Sequence, residues 1–137
     1  MMKVTLDPDA KMPTRAHETD AGLDLYSRDD WYLGPWESKT FDTGVHVELP
    51  PGTGGLLVAK SGLNITRDLT STGLIDETYT GSLAIKLYNQ GSNGYMIRKG
   101  DKISQLVIFP VLRPELELVD KLEETGRGNN GFGSTGR

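Results

Sequence analysis

The sequence predicts an all-β fold, a sandwich or barrel in a single domain, and three observations predict it. Short runs rich in β-branched and aromatic residues recur between turn signals along the 137 residues. Apolar residues nowhere repeat at helical spacing over several turns. One run, ISQLVIFPVL, is nearly continuous in apolar residues, as in a strand covered on both faces by a second sheet or another subunit.

Taken in chain order, the strand candidates are KVTL (3–6), LDLYS (23–27), TFDTGVHVEL (40–49) and GLLVAK (55–60), then LAIKLYN (83–89), YMIRK (95–99), KISQLVIFPVL (102–112) and LELV (116–119). PPGTGG (50–55) and NQGSNG (89–94) are turns by composition: Gly and Asn tolerate positive φ, and Pro interrupts a ladder. Helix is minor, with one turn expected near 61–65 and another near 121–124. The twelve-residue ending GRGNNGFGSTGR holds five glycines and one phenylalanine, too little apolar surface to offset its own ordering entropy. Residues 1–125 therefore read as the folded domain and 126–137 as a flexible arm.

A formal charge of −4 argues against a nucleic-acid or membrane-surface binder, which would carry a basic face. The absence of cysteine removes disulfides, thiolate zinc sites and a cysteine nucleophile together. No stretch has signal-peptide or membrane-span character, so a cytoplasmic protein is expected, and the sequon at Asn64 has no bearing there. With only His17 and His46 available, a multi-histidine metal site is excluded, and acid–base work falls to carboxylates.

GGLLVAKS (54–61) imitates a phosphate loop, but LLV reads as strand and no long helix can follow. Lys60 still brings charge, Ser61 a hydroxyl and Gly62 a close backbone approach for a phosphate; equally, Ser61 is a helix cap beside a solvated lysine. In GLIDETYTGSL (73–83), Asp76 follows two apolar residues, and desolvation there would suit it to deprotonating a water; the same residues also make a tight turn. Asp24, between two leucines, needs a cation or donor opposite it if it points inward. Gln105, the one amide in the apolar run, binds either backbone or a ligand. In the arm, Arg127 can grip a terminal phosphate, Phe132 offers a stacking face, and Gly133, Ser134 and Thr135 can wrap oxygen atoms.

In combination, DAGLDLYS, KSGL, GLIDETYTG, RKGDKISQL and RGNNGFGSTG resemble, in order and from Asp20 to Gly136, the homotrimeric all-β dUTPases. The resemblance implies a jelly-roll-like distorted barrel as the subunit of a threefold trimer, with sites between subunits, each closed by an arm from a neighbour. It implies Mg²⁺-dependent hydrolysis of dUTP to dUMP and pyrophosphate, by water attack at the α-phosphorus. Asp76 would activate that water and bond the sugar 3′-hydroxyl. Ile75 would belong to the substrate pocket, and Tyr79 would pack on the sugar and reject ribonucleotides. Asp24 would hold Mg²⁺ through water. Lys60, Ser61, Gly62 and Gln105 would contact phosphates, with Arg127, Gly133, Ser134 and Thr135 at the γ-end and Phe132 on uracil.

The sequence departs from the family pattern in places: Lys60 stands where arginine is usual, Asn130 replaces a usual glycine, and Ser82 a usual polar or acidic residue. NITRDLTST is short and lacks the asparagine that some members use to read uracil, leaving backbone groups for that task. Two alternatives are a regulatory or protein-binding trimer on the same fold and the related dCTP deaminase. Lys86 falls where that deaminase carries its glutamate, and a lysine cannot shuttle the proton in the same way.

Overall fold

The computed structural model describes residues 1–136 and is nearly all β, with one short helix. A four-stranded antiparallel sheet runs β2 (Gly22–Tyr26), β11 (Lys102–Pro110), β6 (Thr53–Val58), β8 (Thr72–Ile75). A three-stranded sheet runs β4 (Ser38–Asp42), β9 (Ala84–Asn89), β7 (Leu69–Thr70). Two ribbons flank them, β1 (Lys3–Leu6) with β5 (Val45–Glu48) and β3 (Trp31–Leu33) with β10 (Tyr95–Ile97). Leu25, Leu57 and Leu106 from the first sheet share one buried cluster with Phe41, Ile85 and Leu87 from the second. That two-layer core is what the period-2 patterning calls for: in β9 alternate residues are buried, and Lys86 and Tyr88 face out.

The expected run 40–49 is two strands. Gly44 takes φ +66°, and Thr43 donates through both its backbone N–H and its hydroxyl to Leu83 O, at 3.0 and 2.7 Å. β4 therefore pairs with β9, while β5 leaves to pair with β1. Three strands come from segments that composition reads as loop: β3, β7 and β8. Thr70, Ser71, Thr72 and Gly73 look like turn residues, but each neighbouring pair is claimed by a ladder, Leu69–Thr70 by β9 and Thr72–Ile75 by β6. Ladder bonds made at long range override local propensity there.

The LELV segment forms no strand and residues 121–124 no helix. The chain leaves the body after Val111, so these residues have no ladder to join and no apolar face to cover. Leu116 and Leu118 are fully exposed, and exposure begins at Leu112, ahead of the expected arm. Within the single chain the second sheet covers β11 only in part: Val107, Ile108 and Phe109 remain partly open, which leaves another subunit as the expected cover there. The predicted helical turn does form, as α1 (Ser61–Arg67), and stops where Asp68 adopts φ +56°. Among the described residues no helix is long and apolar enough to cross a membrane.

Truncating Leu87 to Ala should lower unfolding free energy by about 2–5 kcal/mol in urea titration, because it empties a site at the sheet interface. Phe132→Ala should change it by less than about 0.5 kcal/mol in the same assay, since that ring is fully exposed.

Candidate active site

Strand register assembles the first half of the site. Asp24 on β2 stands opposite Gln105 on β11, and Gln105 stands opposite Val58 on β6. Lys60 follows two residues beyond Val58 in extended conformation. Asp24 is 3% exposed, and its two oxygens accept from two ammonium groups: Lys60 Nζ on Oδ1 in a short contact, and Lys102 Nζ on Oδ2 at 3.0 Å. The buried acid thus has its required cation twice over. Burial by itself would push the Asp24 pKa up, but the hydrogen bonds from Lys60 and Lys102, with their charges, outweigh it and hold the carboxyl below its ordinary value. The reciprocal hydrogen bond and charge of Asp24 raise the Lys102 pKa.

Gln105 is half-buried and meets the backbone reading of its amide. Its Nε2 donates to Ala59 O at 3.1 Å, which fixes the side chain beside Lys60 while leaving a second N–H free. Gly22, opposite Val107, clears the space for this amide: a Cβ there would lie 2.4 Å from Gln105 Oε1. Ser61 opens α1 without capping it, because Lys60 holds the cap position and no side chain bonds the helix end. The Ser61 hydroxyl and the Gly62 backbone are exposed beside the lysine. LLV is strand, as expected, so the phosphate-loop imitation is not that motif.

The second half lies at the far end of β6. Ile75, Asp76 and Tyr79, with Leu74 and Ala84, line a recess of 190 Å³. The turn is built locally: the Tyr79 N–H donates to Asp76 O at 3.0 Å, and the Tyr79 hydroxyl donates to Ser82 O at 2.8 Å. The ring packs so closely on Gly81 that a Cβ there would meet the phenol carbon at 2.6 Å. His46 braces the next residue, with Nδ1 2.8 Å from Thr80 O and Nε2 3.0 Å from Asp7 Oδ1. Two acceptors require both ring nitrogens to carry protons, and the bond to Thr80, with the Asp7 carboxylate, raises the His46 pKa. Asp76 itself is exposed, contrary to the expectation of a desolvated acid. Ile75 is buried beneath it, so the apolar neighbours in sequence form a floor and leave the carboxylate in solvent.

The ladder sets how far apart these halves lie. Gly55 pairs with Ile75 and Val58 with Thr72, so Asp76 falls beside the Gly54 end of β6 and Lys60 beyond the Val58 end. Six residues of extended chain separate the two ends by about 20 Å. A single triphosphate cannot touch both within one chain.

The arm residues touch neither half. Arg127 donates to its own arm, to Asn130 O at 2.7 Å and Gly131 O at 3.4 Å, and Phe132, Gly133, Ser134 and Thr135 are exposed. Arg137, the last residue of the expected arm, lies outside the described residues. His17 is an exposed loop residue.

No group of three or more His, Cys, Asp or Glu that could hold a metal occurs among the described residues. A lone carboxylate already bound to two lysines does not make a cage for a resident ion. It fits Mg²⁺ carried on a ligand's phosphates and met through water, the usual habit of that ion. Sequence reasoning missed Lys102 as a member of the cluster. The available signal was the short gap between Lys102 and Gln105, but a regular strand would place those side chains on opposite faces.

The dUTPase family model matches residues 8–136. The deoxyuridine 5′-triphosphate nucleotidohydrolase of Trichodesmium erythraeum is 46% identical, covering 96% of this chain and 94% of that one. Its counterpart from Gloeothece citriformis is 42% identical over 98% and 96%. Among solved structures, the Staphylococcus bacteriophage 80alpha dUTPase with dUpNHpp superposes with TM-score 0.93 at 35% identity, covering 100% of this chain and 99% of that one. A variant dUTPase from phage phi11 of S. aureus, described with a structural Mg(II) ion, gives TM-score 0.84 at 34% identity over 90% and 99%.

Asp24→Asn should cost about 1–3 kcal/mol of stability at pH 7, because two ammonium groups lose their charged acceptor. A depressed carboxyl pKa contributes stability above its unfolded value and loses it as pH falls through the folded one, so the gap to wild type should narrow below about pH 4. Denaturant midpoints of both proteins against pH read this.

Proposed function

The chain belongs to the dUTPase family, and from that premise we propose that it hydrolyses dUTP to dUMP and pyrophosphate by attack of water at the α-phosphorus. One observation carries the reading: the fold builds two unlike half-sites, one cationic and rich in donors, the other a carboxylate on an apolar floor beside a tyrosine ring. These suit the two halves of a nucleoside triphosphate. In the proposed arrangement Asp76 accepts the proton of the attacking water and a bond from the sugar 3′-hydroxyl. Tyr79, pinned on Gly81, walls the sugar where a 2′-hydroxyl would sit, and Ile75 forms the floor. Lys60, Ser61, Gly62 and Gln105 take the phosphate oxygens.

The half-sites meet only if separate copies supply them, which supports a homotrimer with its sites at the boundaries between copies. The solvent-facing Leu112, Leu116, Leu118 and Leu122 support it too, since a run of apolar side chains this open marks an interaction surface. Arg127, Phe132, Gly133, Ser134 and Thr135 would then come from a neighbour's arm, which substrate orders over the site; closure removes bulk water from Asp76 and strengthens every charge contact inside. Mg²⁺, when bound, would neutralise phosphate charge and leave phosphorus more open to attack, with Asp24 reaching it through water.

The deaminase alternative is not favoured. Lys86 points out from β9 with its ammonium 5.2 Å from the Tyr88 ring centre, and no acid stands in its place. A trimer that only binds would be expected to have lost the acid or the arm, and Asp76, Tyr79 and Phe132 are all present.

With Mg²⁺, pyrophosphate release from dUTP should exceed that from UTP, dTTP and dCTP by at least about a hundredfold; equal rates on UTP would remove the role given to Tyr79. Asp76→Asn should lower kcat by about 10²–10⁴ with little change in KM, and an unchanged kcat would place the base elsewhere.

A further inference from the structure

We propose that Lys102 is a further phosphate-binding residue of this site, aimed there by a β-bulge and held, together with Lys60, on the Asp24 carboxylate. The assignment rests on the hydrolase reading of the same site and extends its cationic half.

The register carries the argument. Along β2, Tyr26 and Asp24 are two residues apart and share a face. Their partners on β11 are Lys102 and Gln105, three residues apart, because the ladder shifts between Lys102 and Ser104. One extra residue on β11 is a bulge, and a bulge reverses which side the preceding side chain faces. Without it Lys102 would point away from Gln105. With it, Lys102 stands on the face that holds Gln105 and Asp24, and its ammonium reaches Asp24 Oδ2 at 3.0 Å.

The chemistry follows from counting donors and charge. An ammonium has three N–H donors, and Lys60 and Lys102 each spend one on Asp24, leaving two apiece. Two cations against one carboxylate leave the cluster with net positive charge, beside the free N–H of Gln105 and the Ser61 hydroxyl. The Asp24 side chain is 4% exposed, whereas those of Lys60 and Lys102 are 28% and 42% exposed, so the anchor is hidden and the ammonium groups stay open to a ligand. Tethering both lysines to one buried anchor removes most of the rotamer entropy that a phosphate contact would otherwise cost. Lys102 also compensates for lysine rather than arginine at position 60: two point charges stand where one forked group would bind twice.

Calorimetric titration with two ligands tests this, using inorganic tripolyphosphate as the phosphate chain alone and deoxyuridine as the nucleoside alone. Lys102→Met should weaken tripolyphosphate about 10–100-fold and leave deoxyuridine within about twofold, with a small fall in melting temperature because Asp24 keeps Lys60 but loses one of its two cations. Lys102→Arg should keep tripolyphosphate within about fivefold of wild type, since charge and reach are retained. Tripolyphosphate binding that ignores Lys102→Met overturns the proposal, as does equal loss of both ligands, which would make Lys102 merely structural. Failure of wild type to hydrolyse dUTP, with tripolyphosphate still dependent on Lys102, would instead sink the hydrolase reading and leave this one standing.

Discussion

Strand β6 takes part in two antiparallel ladders, with β8 along one edge and β11 along the other, and those ladders decide what stands at each of its ends. At the Gly54 end, pairing with β8 delivers Ile75 and the turn that carries Asp76 and Tyr79. At the Val58 end, pairing with β11 and through it with β2 delivers Gln105 and Asp24, and the chain runs on into Lys60, Ser61 and Gly62. A strand is stiff and its rise per residue is fixed, so the halves cannot approach each other by local adjustment. If one ligand is to touch both halves, as proposed, more than one copy must supply them, and that requirement is a consequence of sheet geometry.

The two halves are stabilised by different physics. The half proposed to take phosphates is preorganised: a buried carboxylate fixes two ammonium groups, a backbone carbonyl fixes the amide of Gln105, and Gly22 clears the space in which that amide sits. No buried side-chain polar atom is left unpartnered among the described residues, so this polar cluster sits in the sheet without an unmet hydrogen bond. The half proposed to take the nucleoside is built on an exposed turn braced by His46 and by Tyr79 on Ser82. Its carboxylate stays in water until something covers it, so the desolvation that would tune Asp76 belongs to the closed assembly.

Much of this was legible in the sequence. The recurring β-branched runs, the turn at Gly44 and LELV aside, mark strands that exist, and the need of a buried Asp24 for a cation is met by Lys60 and Lys102. Hidden features were those set at long range. β7 and β8 are written in Thr, Ser and Gly and become strands only because β9 and β6 supply ladders. The bulge that turns Lys102 inward has no local signature, since it is defined by the partner strand's count. LELV alternates as a strand should, yet nothing within the chain pairs with it; alternation states a preference and cannot create a neighbour.

Subunit mixing tests the shared-site claim most directly. Asp76→Asn and a Lys60→Met/Gln105→Ala double variant, each nearly inactive alone, are unfolded together in equal amounts and refolded. If one copy supplies the carboxylate and another the phosphate contacts, about a quarter of the sites recover an intact pair and dUTP hydrolysis returns to about a quarter of the wild-type rate. A refolded mixture no more active than its parents would show that a single chain supplies both halves, against the separation that β6 imposes.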